Sequence, residues 1–212
     1  MGDLTVSVII VSRGRPDALR RCLAGVAQLQ YRSFEVVVVA CPEGITVTEH
    51  SSVLPDIKCI AFDEANISRA RNIGLEHAAG EVVAFIDADA IVDEHWLAEL
   101  VRPLADASVG AATGNRWFSP TDHATGSLVQ QIWNAAAVVQ MQSYDIAWGG
   151  SLAIRRDVID RCDLVAHWRE SFCEDTVLSR AFRRTKYRVA RVPGLVIDNR
   201  EGNDLDGAYD WI

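Results

Sequence analysis

The sequence predicts an α/β fold, a three-layer α/β/α arrangement around one mostly parallel sheet. Strand-like and helix-like segments alternate through the first half. The strand-like ones, Val6 to Val11, Phe34 to Ala40 and Glu81 to Ile86, are near-continuous apolar runs rich in Val and Ile. Such runs are what a parallel sheet covered by helices on both faces demands. At 212 residues the chain can build one sizeable core without a second domain.

The elements follow in order. Val6 to Val11 is stopped by "SRGRP", whose Pro16 suits the first turn of a helix. Leu19, Cys22, Leu23, Val26 and Ala27 then repeat at helical spacing as far as Leu29. The second strand, "FEVVVVA", ends at a Pro/Gly break over Cys41 to Gly44, and a third, shorter strand covers Ile57 to Phe62. Asn66 to Ala79 reads as a helix closed by Gly80. The fourth strand delivers "DADA", and a helix from Asp93 turns Trp96, Leu97, Leu100 and Val101 to one face.

The second half is less regular. Val109 to Phe118 reads as a strand, Gly126 to Ser143 as an amphipathic helix, and "GGSLAIRR" as a strand entering a short helix at Asp157. Thr176 to Arg184 is a helix with Val177, Leu178, Ala181 and Phe182 inward. Two short strands, Tyr187 to Val192 and Gly194 to Ile197, precede a polar tail over 201–212. Residues 1–212 read as a single domain, with a first half over 1–105 and a second over 106–200. The stripe Leu128, Ile132, Trp133, Ala136, Val139 and Gln140 could rest on a bilayer, but such a face more commonly packs on the protein's own core.

Composition excludes several classes. Twenty-one Lys and Arg against 29 Asp and Glu give a net charge of −8, which argues against nonspecific binding of nucleic acid or anionic lipid. The five cysteines, Cys22, Cys41, Cys59, Cys162 and Cys173, are scattered and contain no CxxC pair. They indicate neither a zinc site nor a disulfide framework and suit a reducing cytoplasm. The N-terminus reads as neither signal peptide nor myristoylation site, and no apolar run is long enough to span a membrane.

Two carboxylates at i and i+2 on a turn after a strand, Asp87 and Asp89, can converge on one divalent cation that keeps open positions for phosphate oxygens. Taken alone, such a pair equally suits a helix cap or turn hydrogen bonds. Upstream, "NISRARNIG" places Arg69 and Arg71 where a guanidinium could neutralise a diphosphate, or where it could line a solvated helix face.

The blocks "VSVIIVSRGRPDALRRCL", "FEVVVV", "NISRARNIGLEHAAGEVVAFIDADA", "WGGSLAIRR" and "CEDTVLSRAF" resemble, in order and spacing, those of a family 2, GT-A fold glycosyltransferase. The resemblance covers roughly residues 5 to 190 and implies that 1–105 is the nucleotide-sugar-binding half and 106–200 the acceptor-side half. It implies an inverting enzyme that moves a hexose from a nucleotide diphosphate sugar, with Mg²⁺ or Mn²⁺, to a hydroxyl of a glycan or lipid. Asp87 and Asp89 would hold the metal, with Asp87 also near the ribose. Ser12, Arg13, Glu43 and Arg71 match positions around the nucleotide sugar. Asp175 matches the catalytic base, and a carboxylate at a helix N-terminus is held ionised by backbone amides, as a base must be. Asp175 and Glu174 are also ordinary first-turn acids.

Trp148, Gly149, Gly150 and Glu174 fall on the acceptor side. The "AWGGSLAIRR" block is similar to one in lipid-directed, ceramide glucosyltransferase-like members. A lipid acceptor would place the enzyme at the cytoplasmic membrane face.

Three departures qualify the match. "ACPEG" offers only Glu43 where many relatives carry an aspartate pair that reads the base, so UDP is a prior expectation. No Q/R-x-x-R-W block follows Asp175, and no C-terminal membrane helices follow either, as in a truncated or non-processive chain. Competing readings are a non-catalytic nucleotide-sugar-binding module and a sugar-phosphate nucleotidyltransferase. The single glycine of "SRGRP" counts against the second.

Overall fold

A computed structural model describes residues 4–49, 54, 57–118, 128, 129, 131, 132, 135, 136, 139, 147–169 and 174–199. Eight strands form one sheet: β1 (Val6–Ser12), β2 (Phe34–Ala40), β3 (Ile57–Ala61), β4 (Val82–Asp87), β5 (Ala90–Ile91), β6 (Val109–Phe118), β7 (Ser151–Arg155) and β8 (Arg188–Asn199). Their order is β3-β2-β1-β4-β7-β6-β8-β5. The pairs β1/β2, β1/β4, β2/β3 and β6/β8 are parallel, while β4/β7, β6/β7 and β5/β8 are antiparallel. The expected mostly parallel sheet is present, with the antiparallel pairs confined to its second half.

The helices are α1 (Pro16–Val26), α2 (Pro42–Glu49), α3 (Ile67–His77), α4 (Trp96–Val101), α5 (Arg156–Arg161), α6 (Leu164–Arg169) and α7 (Glu174–Arg183), with a 3₁₀ turn over Arg102–Ala105. Side chains alternate across each strand, so the sheet feeds two cores. Val6, Val8 and Ile10 pack with Leu19, Leu23 and Val26 of α1 and Trp96, Leu97 and Leu100 of α4. Ile9, Val37, Val83 and Phe85 pack on the other face with Leu75 of α3, Trp168 of α6 and Phe182 of α7. This is the three-layer arrangement. The approach of α3 is close: a Cβ on Gly74 would lie 2.5 Å from Ile9 Cγ2.

Four expectations need correction. The "ACPEG" break opens helix α2: its β-branched residues hide it in the sequence, and Thr46 and Thr48 return hydrogen bonds to the Pro42 and Gly44 carbonyls. Helix α6 and the two-residue β5 were not anticipated, both being too short to show a period. The two terminal strands are one, β8, whose register against β6 shifts between Gly114/Val192 and Asn115/Val196, so Pro193–Leu195 bulge out. Finally, within the expected Gly126–Ser143 helix the described residues are helical, but Leu128, Ile132, Ala136 and Val139 are exposed and not packed on the core; Trp133 and Gln140 lie outside the described residues. Among the described residues no helix is long and apolar enough to cross a membrane.

At the amino end of the sheet a polar knot ties strands to the α3–β4 turn. Glu35 Oε1 accepts from Ser7 Oγ and Ala79 N, both at 2.6 Å, and Oε2 pairs with Lys58 Nζ at 2.7 Å. Partial burial pushes the Glu35 carboxyl up, but the Lys58, Ser7 and Ala79 bonds outweigh it and hold the group below its ordinary range. A depressed native pKa stabilises the fold above the unfolded-state value and ceases to do so as pH falls through the native one. Glu35→Gln is therefore expected to cost about 1–3 kcal/mol at pH 7, with the gap to wild type narrowing below about pH 4, as measured by urea unfolding.

Candidate active site

The chain reverses direction across the sheet at β1. β2 and β3 are laid down on one side of it and β4 on the other, with Val11 opposite Asp87. Crevices beyond the carboxyl ends of strands at such a reversal bind ligands. Both "SRGRP" and "DADA" leave from it.

Along the first of these, Ser12 is buried and its carbonyl accepts from Cys41 N at 3.3 Å. Arg13 is exposed, 4.0 Å from Asp63. Gly14 takes φ +67°, a left-handed turn without strain in glycine, and its N–H points at Cys41 Sγ, 3.3 Å away. Arg15 is the residue before α1, where Pro16 fixes the helix start. Beyond β2, Glu43 stands exposed in the first turn of α2; its own backbone N–H and the Cys41 side chain hold its carboxyl below the ordinary range.

Each acid of the DxD faces an arginine. Arg71, on α3 and only 4% exposed at its side chain, reaches Asp87 Oδ1 at 3.4 Å and lies 5.6 Å over the Phe85 ring. Asp87 ends β4 and is 17% exposed. Asp89, 6% exposed, has Oδ2 3.5 Å from Arg15 Nη1, while its Oδ1 is buried without a hydrogen-bond partner. Arg69, by contrast, turns outward to Glu64 and Phe62. The two arginines indistinguishable in sequence thus separate, Arg71 to the site and Arg69 to the rim.

Behind the pair, Cys22 Sγ is 3.7 Å from the Asp87 carbonyl; burial, then the charges of Asp89 and Asp87, push its thiol pKa far up.

An orphaned, buried carboxylate oxygen is costly unless something binds it. Asp87 and Asp89 form a hard-oxygen donor set that suits Mg²⁺ or Mn²⁺, and Oδ1 of Asp89 supplies the vacant lone pairs. Among the described residues no third His, Cys, Asp or Glu joins them. Two protein ligands leave the remaining positions to phosphate and water oxygens, as Mg²⁺ prefers.

The "WGG" segment abuts the same spot. Trp148 is half-buried, its backbone N–H donates to Thr113 Oγ1 at 3.1 Å, and Thr113 Oγ1 donates to the Ser151 carbonyl at 3.0 Å. A Cβ on Gly150 would lie 2.0 Å from Trp148 Cζ2 and 2.4 Å from Asp87 Oδ2. Gly150→Ala is expected to cost about 1–3 kcal/mol of stability and to weaken nucleotide binding, since Asp87 must yield. Denaturant unfolding and titration calorimetry measure the two.

Glu174 and Asp175 are the first two residues of α7; their side chains lie outside the described residues. The structure therefore brings Arg71, Asp87, Asp89, Trp148 and Gly150 together at the carboxyl end of β4, with Ser12 at the neighbouring end of β1, Arg13 in the loop after it and Glu43 in the first turn of α2. Arg15 was missed. Its only sequence signal was Pro16, which fixes the residue before it at the helix entrance.

The sequence model of glycosyl transferase family 2 matches residues 7–162. The glycosyltransferase AglE of Haloferax volcanii is 26% identical over 163 residues, 73% of this chain and 54% of AglE. Among solved structures, the mannosyltransferase PcManGT from Pyrobaculum calidifontis in complex with GDP-Man and Mn²⁺ superposes with a TM-score of 0.67 at 21% identity, over 93% of this chain and 57% of that one. S. aureus TarS 1-349 in complex with UDP-GlcNAc gives 0.68 at 17% identity, over 97% and 62%. The fold is GT-A. The chain spans about half the length of AglE and under two thirds of the two solved chains.

Proposed function

The chain belongs to glycosyl transferase family 2, and from that premise we propose that it is an inverting, metal-dependent glycosyltransferase, moving a hexose from a nucleotide diphosphate sugar to a hydroxyl of a glycan or lipid. One observation carries the reading. Asp89 is buried beside Asp87 at the reversal point of the sheet, with one carboxylate oxygen unpartnered and an arginine near each acid.

The residues divide the work as follows. Asp87 and Asp89 hold Mg²⁺ or Mn²⁺, which when bound stabilises negative charge on the leaving diphosphate. Arg71, pinned by Phe85, fixes the Asp87 carboxylate. Ser12, Arg13 and Glu43 line the way to the base and ribose. Trp148 presents a ring face for the acceptor, and Gly150, with no Cβ, lets that ring lie against it and beside Asp87. Asp175 takes the proton from the acceptor hydroxyl as its oxygen attacks the anomeric carbon from the face opposite the diphosphate.

Support for the donor comes from the solved relatives, one bound to GDP-Man and the other to UDP-GlcNAc. The test is thermal unfolding with UDP, GDP and their sugar conjugates, each with Mn²⁺ and with chelator. A ligand at 100 times its Kd adds about 2.7 kcal/mol, a rise of roughly 5 to 10 °C for a chain of this size. A shift that requires metal supports the reading and identifies the base. No shift with any nucleotide overturns it.

A further inference from the structure

We infer that Thr113 is a positioning residue: its hydroxyl braces the turn from Trp148 to Ser151 and thereby sets the Trp148 ring against Asp87, keeping the acceptor side in register with the metal. This rests on the reading of Asp87 and Asp89 as the metal site.

Thr113 lies on β6 and is buried. The turn it faces is closed by the Ser151 N–H, which donates to the Trp148 carbonyl at 3.3 Å. Thr113 Oγ1 addresses both ends of that turn, accepting from the Trp148 backbone N–H at 3.1 Å and donating to the Ser151 carbonyl at 3.0 Å. A hydroxyl carries one proton and two lone pairs, so a single group can do both. A methyl in its place can do neither. Two further bonds fix the turn to its surroundings: Trp96 Nε1 donates to Ser151 Oγ at 3.0 Å inside the core, and the Asp87 N–H donates to the Gly150 carbonyl at 3.4 Å.

The turn is therefore attached to the backbone of a metal-binding acid and braced from β6. Trp148 Cζ2 and Asp87 Oδ2 both crowd the space that a Cβ on Gly150 would occupy, at 2.0 Å and 2.4 Å from it. At such close quarters a slip of the turn moves the ring relative to the carboxylate. Trp148 and Gly149 make further contacts of their own, but the Thr113 hydroxyl is the group that spans the turn from end to end. A misplacement of about 1 Å can cost about 10²-fold in rate, so the brace bears on transfer although Thr113 itself is buried away from substrate.

The experiment is fluorine NMR of the whole chain labelled with fluorotryptophan, on wild type, Thr113→Val and Thr113→Ser, with UDP or GDP and either Mg²⁺ or Mn²⁺. The chain has six tryptophans, and Trp148→Phe identifies the resonance of Trp148. Bound Mn²⁺ broadens nearby nuclei, an effect that falls steeply with distance. In wild type the Trp148 resonance is expected to be present with Mg²⁺ and lost with Mn²⁺. In Thr113→Val it is expected to survive with Mn²⁺, while nucleotide affinity stays at the wild-type value. Thr113→Ser keeps the hydroxyl and should lose the resonance as wild type does. A resonance lost with Mn²⁺ in Thr113→Val as well, a serine variant that behaves like valine, or nucleotide affinity that falls in Thr113→Val overturns the role of Thr113 alone. Wild type that binds no nucleotide, or binds it with a Trp148 resonance untouched by Mn²⁺, overturns the metal site at Asp87 and Asp89, and this inference with it.

Discussion

Asp175→Asn is expected to lower the transfer rate by roughly 10² to 10⁴ while leaving the nucleotide-dependent rise in Tm intact. The substitution is nearly isosteric and keeps a helix-compatible residue in the first turn of α7. It removes only the ability to accept a proton. A base acts on acceptor in the transition state and owes nothing to donor binding, so kcat should fall with little change in donor affinity. A rate that survives in Asp175→Asn assigns the base to another residue. If neither wild type nor variant turns over donor that both bind, the chain acts as a nucleotide-sugar-binding module.

Asp89→Asn should abolish the metal requirement by abolishing the effect. Mn²⁺-dependent nucleotide affinity is expected to fall by on the order of 10², about 3 kcal/mol, and activity by at least as much. The apo protein should respond in the opposite sense. Wild type buries a carboxylate with one oxygen unpartnered, which is costly, and the pair lost with the partly exposed Arg15 is worth little. Apo Asp89→Asn is therefore expected to be at least as stable as wild type by urea unfolding, and less stable only when Mn²⁺ and nucleotide are present. A variant destabilised without ligand as much as with it would show Asp89 to be a structural residue.

How much of this was legible in the sequence depends on how far each feature is from the backbone pattern. β1, β2 and β4 are unbroken Val/Ile runs and could be read directly, as could α1 and α3, whose apolar residues repeat at helical spacing with Pro16 and Asn66 marking their starts. α2 could not, because Ile45, Thr46, Val47 and Thr48 are β-branched and disfavour a helix taken alone, so its helicity comes from tertiary packing, while Thr46 and Thr48 satisfy their hydroxyls on the Pro42 and Gly44 carbonyls. β5 could not, because two residues carry no period and pair only through the distant Asp198 and Asn199. In the site, Asp87 and Asp89 were legible from spacing. That Arg71 turns inward while Arg69 turns outward is a matter of helix phase against Phe85, and the pairing of Arg15 with Asp89 crosses 74 positions of sequence.

The thiol of Cys22 offers an internal clock. It is fully buried against the Asp87 carbonyl and resists ionisation, so an alkylating reagent can modify it only in molecules whose α1 has lifted from the sheet. Cys59 and Cys162 are partly exposed and need no such event. Mass spectrometry of the separate peptides after timed labelling would thus count openings directly beneath the DxD. When opening and closing are fast relative to modification, the labelling rate scales with the open population and hence with the local opening free energy.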